Sequence, residues 1–324
     1  MTSILAYAAE LPTLRLSASA YVAAWGSCAA SGLKRKTVCA YDEDPVTLAI
    51  AAARRALAVA GDPDIAAVYV GATTLPYEEK PSSATILTGL TGAPAAVYEL
   101  RGSPQAGLQA LRLAGMEAER LPEGQVVLAI ATDAPAAAPD TPLEQALGAG
   151  AAAFVLGSGP GIATLGPSMT ISHESFGARF RRAGSPLLQD LELRTQDDRK
   201  AADLLASRFD LTADHLATGL SPRAAKRLET AAGAESDRLW PILGDAGAAS
   251  APLALTDRLD QAQAGATITA VALGAGVAAL KLTVDRPRPT SRPVAAQAES
   301  GQEIDYVAYL KHRRMLSSRF GDTL

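Results

Sequence analysis

The sequence predicts a layered α/β protein built from two similar halves. Three observations carry this. Short apolar runs alternate with helical patterns along the whole chain. Hydrophobic residues make up 48% of 324 residues, yet aromatics only 5%, and much of the remainder is alanine, whose small side chain lets helices and sheets approach closely. Finally, one unit occurs twice. A small-residue turn at 101–107 (RGSPQAG) opens a helix that leads into the strand 125–132 (QVVLAIAT). The turn at 244–250 (GDAGAAS) opens a second helix that leads into 266–273 (ATITAVAL). The repeat of order and length divides the chain near 160–170, giving halves 1–165 and 166–324.

The elements follow in order. Residues 4–8 form a short apolar strand, and 45–61 a helix stopped by Gly61. Strand 66–72, helix 107–121, strand 125–132 and strand 151–157 complete the first half. In the second, 198–209 and 221–233 read as helices, the latter opening at Ser221-Pro222. Helix 250–265 precedes strands 266–276 and 277–284. Residues 285–304 are Pro-rich and polar and read as an extended surface excursion before a final helix or hook at 305–316.

The formal net charge is −4 with no basic stripe, which argues against a nucleic-acid partner. The first 16 residues lack a charged segment followed by a long apolar run, so no secretory signal is expected. No unbroken apolar stretch reaches the roughly 18 residues of a membrane span; 266–282 comes nearest and reads as core strands. The two cysteines, Cys28 and Cys39, supply neither a disulfide framework nor metal-ligand spacing, and the three histidines form no metal motif. A cytoplasmic location is the default expectation.

Five segments together resemble the archaeal and bacterial hydroxymethylglutaryl-CoA synthases. They are 4–16 with 21–26, 36–57 (containing DEDPVTLA), 66–87 (containing YVGATTLPYEEKP), 244–265 and 305–314 (DYVAYLKHRR). The resemblance implies the thiolase fold, with two pseudo-symmetric βαβαβ halves in a five-layered αβαβα arrangement, and a dimer. The family's chemistry needs a Cys nucleophile at a helix N-terminus, a Glu acid/base and a His.

Matched one at a time, these residues are absent. The Cys position falls on Pro104, before Gln105-Ala106-Gly107; Ser103 is one residue away and reads more simply as a helix cap. The Glu position holds Thr73, and the following Glu78 and Glu79 read as solvated charges. The His position falls on Thr218 or Gly219, with His215 upstream as a surface or helix-flank residue. The family's active-site Asn is Asp245.

The sequence is therefore similar to the nucleophile-lacking, synthase-like subunit of phloroglucinol acetyltransferase complexes, which carries a turn like GDAGAAS. This implies a non-catalytic subunit of an acyltransferase or thiolase-type complex, with no metal and no covalent cofactor of its own. Acyl-CoA would be met only through the complex. The implied partners are a second copy, a Cys-bearing thiolase-like subunit and an OB-fold zinc protein of the DUF35 type. The stretch 285–303 and the tail 305–314, with Tyr306 and Tyr309, are candidate contact segments. Two alternatives stand beside it: an acyltransferase or thioester hydrolase with an unconventional nucleophile such as Ser103, and a stand-alone acyl-CoA binding module.

Overall fold

The structure is a computed structural model, and it describes residues 2–174, 178–190 and 198–316. In chain order its strands are β1 (Thr2–Glu10), β2 (Leu14–Ser17), β3 (Arg35–Val38), β4 (Asp64–Gly71), β5 (Ala96–Leu100), β6 (Gln125–Asp133), β7 (Gly150–Ser158), β8 (Ala163–Ser172), β9 (His215–Ala217), β10 (Thr267–Gly274), β11 (Gly276–Val284) and β12 (Gln302–Ile304). Nine of them run in the order β5-β4-β6-β7-β1-β8-β11-β10-β9.

That order repeats itself on either side of the β1–β8 seam. β1, β7, β6 and β4 correspond to β8, β11, β10 and β9. In both sets the first two pairings are antiparallel and the third is parallel. A parallel bridge from Leu216 to Ser236 stands where β5 flanks β4. β1 and β8 themselves meet through only two residue pairs, Ser3–Thr164 and Ile4–Ala163. β8 opens the second half at Ala163, so the expected division after residue 165 falls inside this strand.

Side-chain alternation sorts the layers. On β6, Val127 and Ala129 join the central core, while Val126, Leu128 and Ile130 join an outer one. The central core also holds Leu108 and Leu111 of the helix Ala106–Ala118 and Leu253, Leu255 and Leu259 of the helix Ser250–Gln261. These two helices lie between the sheet halves. The helices Pro45–Ala60 and Ser82–Leu90 cover the first half, and Asp198–Ala206 and Pro222–Ala232 the second. The result is five layers, the thiolase fold.

Small residues set the spacing of the central layer. A Cβ added at Gly107 would stand 2.0 Å from the Ala248 carbonyl oxygen, and one at Gly71 would stand 2.2 Å from that of Ala106. Backbone meets backbone at both places, which only glycine permits.

Local signals explain the best-read helices. Asp44 and Thr47 form a reciprocal capping box before Pro45, and Gly61 ends that helix at φ 84°. Ser221 caps the helix Pro222–Ala232. Elsewhere the structure corrects the sequence. Residues 285–304 are not one extended excursion: they contain the helix Val294–Glu299, which buries Val294, Gln297 and Ala298, and then β12. β12 pairs with β2, which pairs with β3, in a separate small sheet. Tyr306 and Tyr309 are buried, so the terminal helix Tyr306–His312 packs on its own body. His215 is a strand residue paired with Ile268 rather than a helix flank. Among the described residues no helix is long and apolar enough to cross a membrane.

Candidate functional site

Between the halves lies a cavity of about 600 Å³, and its lining includes four segments around the expected positions. The first is the start of the central helix Ala106–Ala118. Gly102 turns the chain at φ 91°, and Ser103 and Pro104 reach the cavity wall. The Ser103 hydroxyl accepts the Gln105 amide at 3.3 Å, and its carbonyl accepts that of Ala106 at 3.0 Å. The expected Ser103 cap is not formed: the helix starts at Ala106 with Gln105 at its N-cap position and no side-chain cap, and the Ser103 bonds close the turn before it. Gly274 makes room for the turn, since a Cβ there would stand 2.4 Å from Ser103 Oγ.

The second segment is the turn Thr218–Pro222. Asp237 organises it, accepting the amides of Thr218 at 2.8 Å and Gly219 at 2.9 Å through one carboxylate oxygen. The Thr218 hydroxyl is engaged with Ser236 at 2.6 Å. Gly219, at φ 61°, lies against Ser250, where a Cβ would meet the carbonyl oxygen at 2.6 Å.

The third is the start of the other central helix. Asp245 Oδ1 accepts the Gly247 amide at 2.8 Å and the Ser250 hydroxyl at 3.2 Å. The fourth is the hairpin 178–190, closed by reciprocal Phe180–Gln189 backbone bonds at 2.8 Å. From it Arg179 Nη1 donates to Asp245 Oδ2 at 2.6 Å. The hairpin also reaches the first half, where Arg181 donates to the Thr73 carbonyl and the Leu188 amide to the Ala136 carbonyl.

Thr73 is the exception among the expected positions. Ser103, Pro104, Thr218, Gly219 and Asp245 all line the cavity, but Thr73 is not among its lining residues. It belongs instead to a knot around Asp133. That carboxylate is fully buried and accepts the Thr73 amide at 3.0 Å, the Thr73 hydroxyl at 2.8 Å, the Thr74 hydroxyl, and the Ala248 amide at 2.8 Å. Burial pushes its pKa up, against these hydrogen bonds. Asp133 thus ties β6 and the Thr73 loop to the second half. No sequence signal marked it.

No family model matches the chain. It is similar to proteins named hydroxymethylglutaryl-CoA synthase from Methanobrevibacter smithii, 28% identical with 97% of this chain and 99% of that protein covered, and from Methanococcus maripaludis, 30% identical with 96% and 97% covered. The Picrophilus torridus protein of the same name is 30% identical with both chains covered completely. The chain belongs to the hydroxymethylglutaryl-CoA synthase family.

Solved structures agree on the fold of this acyltransferase family. A synthase described as complexed with CoA superposes with a TM-score of 0.81 at 16% identity, over 98% of this chain and 91% of that one. A 3-oxoacyl-(acyl carrier protein) synthase III from Pseudomonas aeruginosa gives 0.73 at 20% identity, over 89% and 99%.

The positions expected from the sequence to match the family's catalytic residues hold Pro104, Thr73, Thr218–Gly219 and Asp245. Neither cysteine stands in for the nucleophile at the cavity wall. Cys39 is buried in the outer core of the first half, and burial pushes its thiol up to about 12. Cys28 packs against the small sheet's core. His215 titrates below its ordinary range because it is partly buried and near Arg258, and it is not among the residues lining the cavity. His173 does line it. Sequence reasoning missed Arg179, which lies 66 residues from its partner Asp245 and has no local signal.

Proposed function

We propose that this chain is a non-catalytic, synthase-like subunit of a multi-subunit acyltransferase or thiolase-type complex. One observation carries the reading: each matched catalytic position holds a residue that cannot do the step, and the hydroxyls there are already committed. Pro104 has no nucleophilic atom. The Thr73 hydroxyl is bonded to Asp133, and that of Thr218 to Ser236. Among the described residues, the hydrogen bond made by the Ser103 hydroxyl is the turn bond from the Gln105 amide, so no base activates it.

The partners fit the exposed edges. β5 ends the large sheet, with Ala96 and Tyr98 exposed, and a second copy pairs there to form the homodimer. A Cys-bearing thiolase-like subunit supplies the chemistry, and an OB-fold DUF35-type zinc protein joins the two. Acyl-CoA is met within the complex. The chain works in the cytoplasm.

Co-expression with neighbouring thiolase-like and OB-fold genes, followed by light scattering and an acyl-transfer assay, tests the reading. Co-purification is expected, with activity lost when this chain is omitted. Full thiolase activity without it, or a covalent acyl adduct on the isolated chain by intact-mass measurement, refutes it. Ser103→Ala should leave the activity of the assembly nearly unchanged. A loss above about 100-fold, the scale of a removed catalytic group, restores the enzyme reading.

A further inference from the structure

The helix Val294–Glu299 and β12 take up the second part of the Pro-rich stretch. The first part, 285–293, leads out of β11, has no regular secondary structure and buries none of its residues. Its backbone is nevertheless held along its whole length. The Asp285 and Arg286 amides donate to the Ile162 carbonyl at 2.8 and 3.1 Å. The buried Tyr7 hydroxyl is shared between the Asp260 carboxylate at 2.9 Å and the Arg288 carbonyl at 3.2 Å. The Thr290 amide and hydroxyl donate to Asp260 at 2.7 and 3.1 Å, and Gln297 donates to the Arg292 carbonyl at 2.8 Å. Pro287, Pro289 and Pro293 fix φ between these points.

The arginine side chains of the loop are left out of this network. Arg286, Arg288 and Arg292 are exposed. Among the described residues the first two guanidiniums have no hydrogen-bond or ion-pair partner. Arg292 stands 3.8 Å from Glu10, whose carboxylate also meets Arg55. The other nearby acids are engaged within the chain. Asp285 accepts the Thr164 hydroxyl at 2.7 Å, and Asp260 holds Tyr7 and Thr290.

We infer that this loop is a docking surface for an acidic segment of a partner protein, read by Arg286, Arg288 and Arg292. A guanidinium takes a carboxylate through paired donors. A backbone fixed beforehand spares the ordering cost of binding, and the pins set the spacing of the three cations without using them. Other anionic occupants fit less well. Three arginines on a chain of net charge −4 fall short of the basic stripe that nucleic acid needs, and of the roughly four to eight basic residues of an anionic-lipid site. A second copy in a two-fold contact sets the patch against itself, arginine facing arginine.

The place of the loop matters too. Asp260, which anchors it, lies near the end of the helix Ser250–Gln261, whose first residues line the cavity. That is roughly 15 Å along the helix axis from Ser250. A partner held here is held away from the cavity and not over it.

The inference rests on the subunit reading for the identity of the partner, and the test keeps the two apart. The full-length chain is titrated at low salt with fluorescently labelled poly-L-glutamate, with a poly-dT oligonucleotide and phosphatidylserine vesicles as rival anions. Wild type should bind poly-L-glutamate. The triple variant Arg286→Gln, Arg288→Gln, Arg292→Gln should bind it about ten-fold more weakly, the combined size of three exposed ion pairs. A charge-matched control on other exposed cations, Arg120→Gln, Arg208→Gln and Lys226→Gln, should change it by less than about two-fold. No binding of poly-L-glutamate, equal losses in the two triple variants, or tighter binding of oligonucleotide or vesicles through the same arginines would overturn the inference. In co-expression with the neighbouring thiolase-like and OB-fold genes, the loop variant should lose a partner that wild type retains. A complex that the loop variant leaves intact overturns the docking loop alone. Wild type that binds poly-L-glutamate through these arginines but co-purifies with neither neighbour supports the loop and refutes the subunit reading.

Discussion

Two aspartates at the junction of the halves look alike in sequence and differ in what surrounds them. Asp133 is wholly buried, and four protein groups, two amides and two hydroxyls, converge on its oxygens. The Asp245 side chain is 29% exposed, and its partner Arg179 has an amino group to spare. A saturated, dry carboxylate is a fastening, because every group around it loses if it goes. A half-open pair at the cavity wall is met by fewer protein groups and fastens the fold less. The same residue type thus does structural work on one side of the seam and lines the cleft on the other.

The comparison breaks most sharply at Asp133. Asp133→Ala leaves the Thr73 and Ala248 amides without their acceptor, and removing one partner from such a network typically costs about 3–5 kcal/mol. A large drop in urea midpoint is expected; a change under about 1 kcal/mol would mean that Asp133 is no fastening. Next comes the backbone contact that the same seam relies on. Gly107→Ala places a methyl 2.0 Å from the Ala248 carbonyl oxygen, and with backbone on both sides neither can yield cheaply. The expected cost is about 3 kcal/mol, read as a lowered melting temperature by circular dichroism.

A third carboxylate sharpens the contrast through pH. Burial, with help from Asp237, pushes the Asp257 carboxyl up to about 6. Its folded-state value therefore lies above the unfolded one, near 4. The folded state holds this proton more tightly, so stability falls as pH rises between those values and stays lowered above 6. Asp257→Asn removes the cost. Stabilisation of up to about 3 kcal/mol is expected at pH 7.5, and almost none at pH 4. Equal effects at the two pH values would contradict the burial argument.

The smallest expected effect belongs to Asp245→Asn. An amide oxygen still accepts the Gly247 amide, but the largely buried Arg179 loses its counter-charge, so a cost of about 1–2 kcal/mol is expected, and the added change Arg179→Gln should recover most of it. If it moved as far as Asp133→Ala, the distinction between fastening and cleft residue would collapse.

How much of this was legible beforehand follows from what local sequence can encode. The helix Pro45–Ala60 carries its own start and stop in Asp44, Thr47 and Gly61, and β6 reads as a strand because it is apolar on both faces. β8 was hidden: Gly166, Pro167 and several polar residues interrupt it, and its exposed side needs no apolar pattern. The helix Ala18–Trp25 buries only Tyr21, too little for a periodic signal. The site divides in the same way. Ser103 and Pro104 read as a helix start, yet the helix begins at Ala106; the turns at 218–219 and 245 do line the cavity. The placement of Thr73 away from the cavity was not, because it depends on Asp133, 60 residues later. The Arg179–Asp245 pair spans 66 residues and has no local trace.

The topology also bears on how the protein is made. β1 leaves the ribosome well before its partners β7 and β8, the residues from Gly150 to Ser172. At typical elongation rates that is a wait of roughly ten to thirty seconds. During this interval a largely apolar strand is tethered to the ribosome with both edges open. Such a segment is a template for wrong pairings, and pairings this distant in sequence also fold slowly. Yield of this protein in a cell should therefore depend on what shields β1 during translation, more than on the stability of the finished fold.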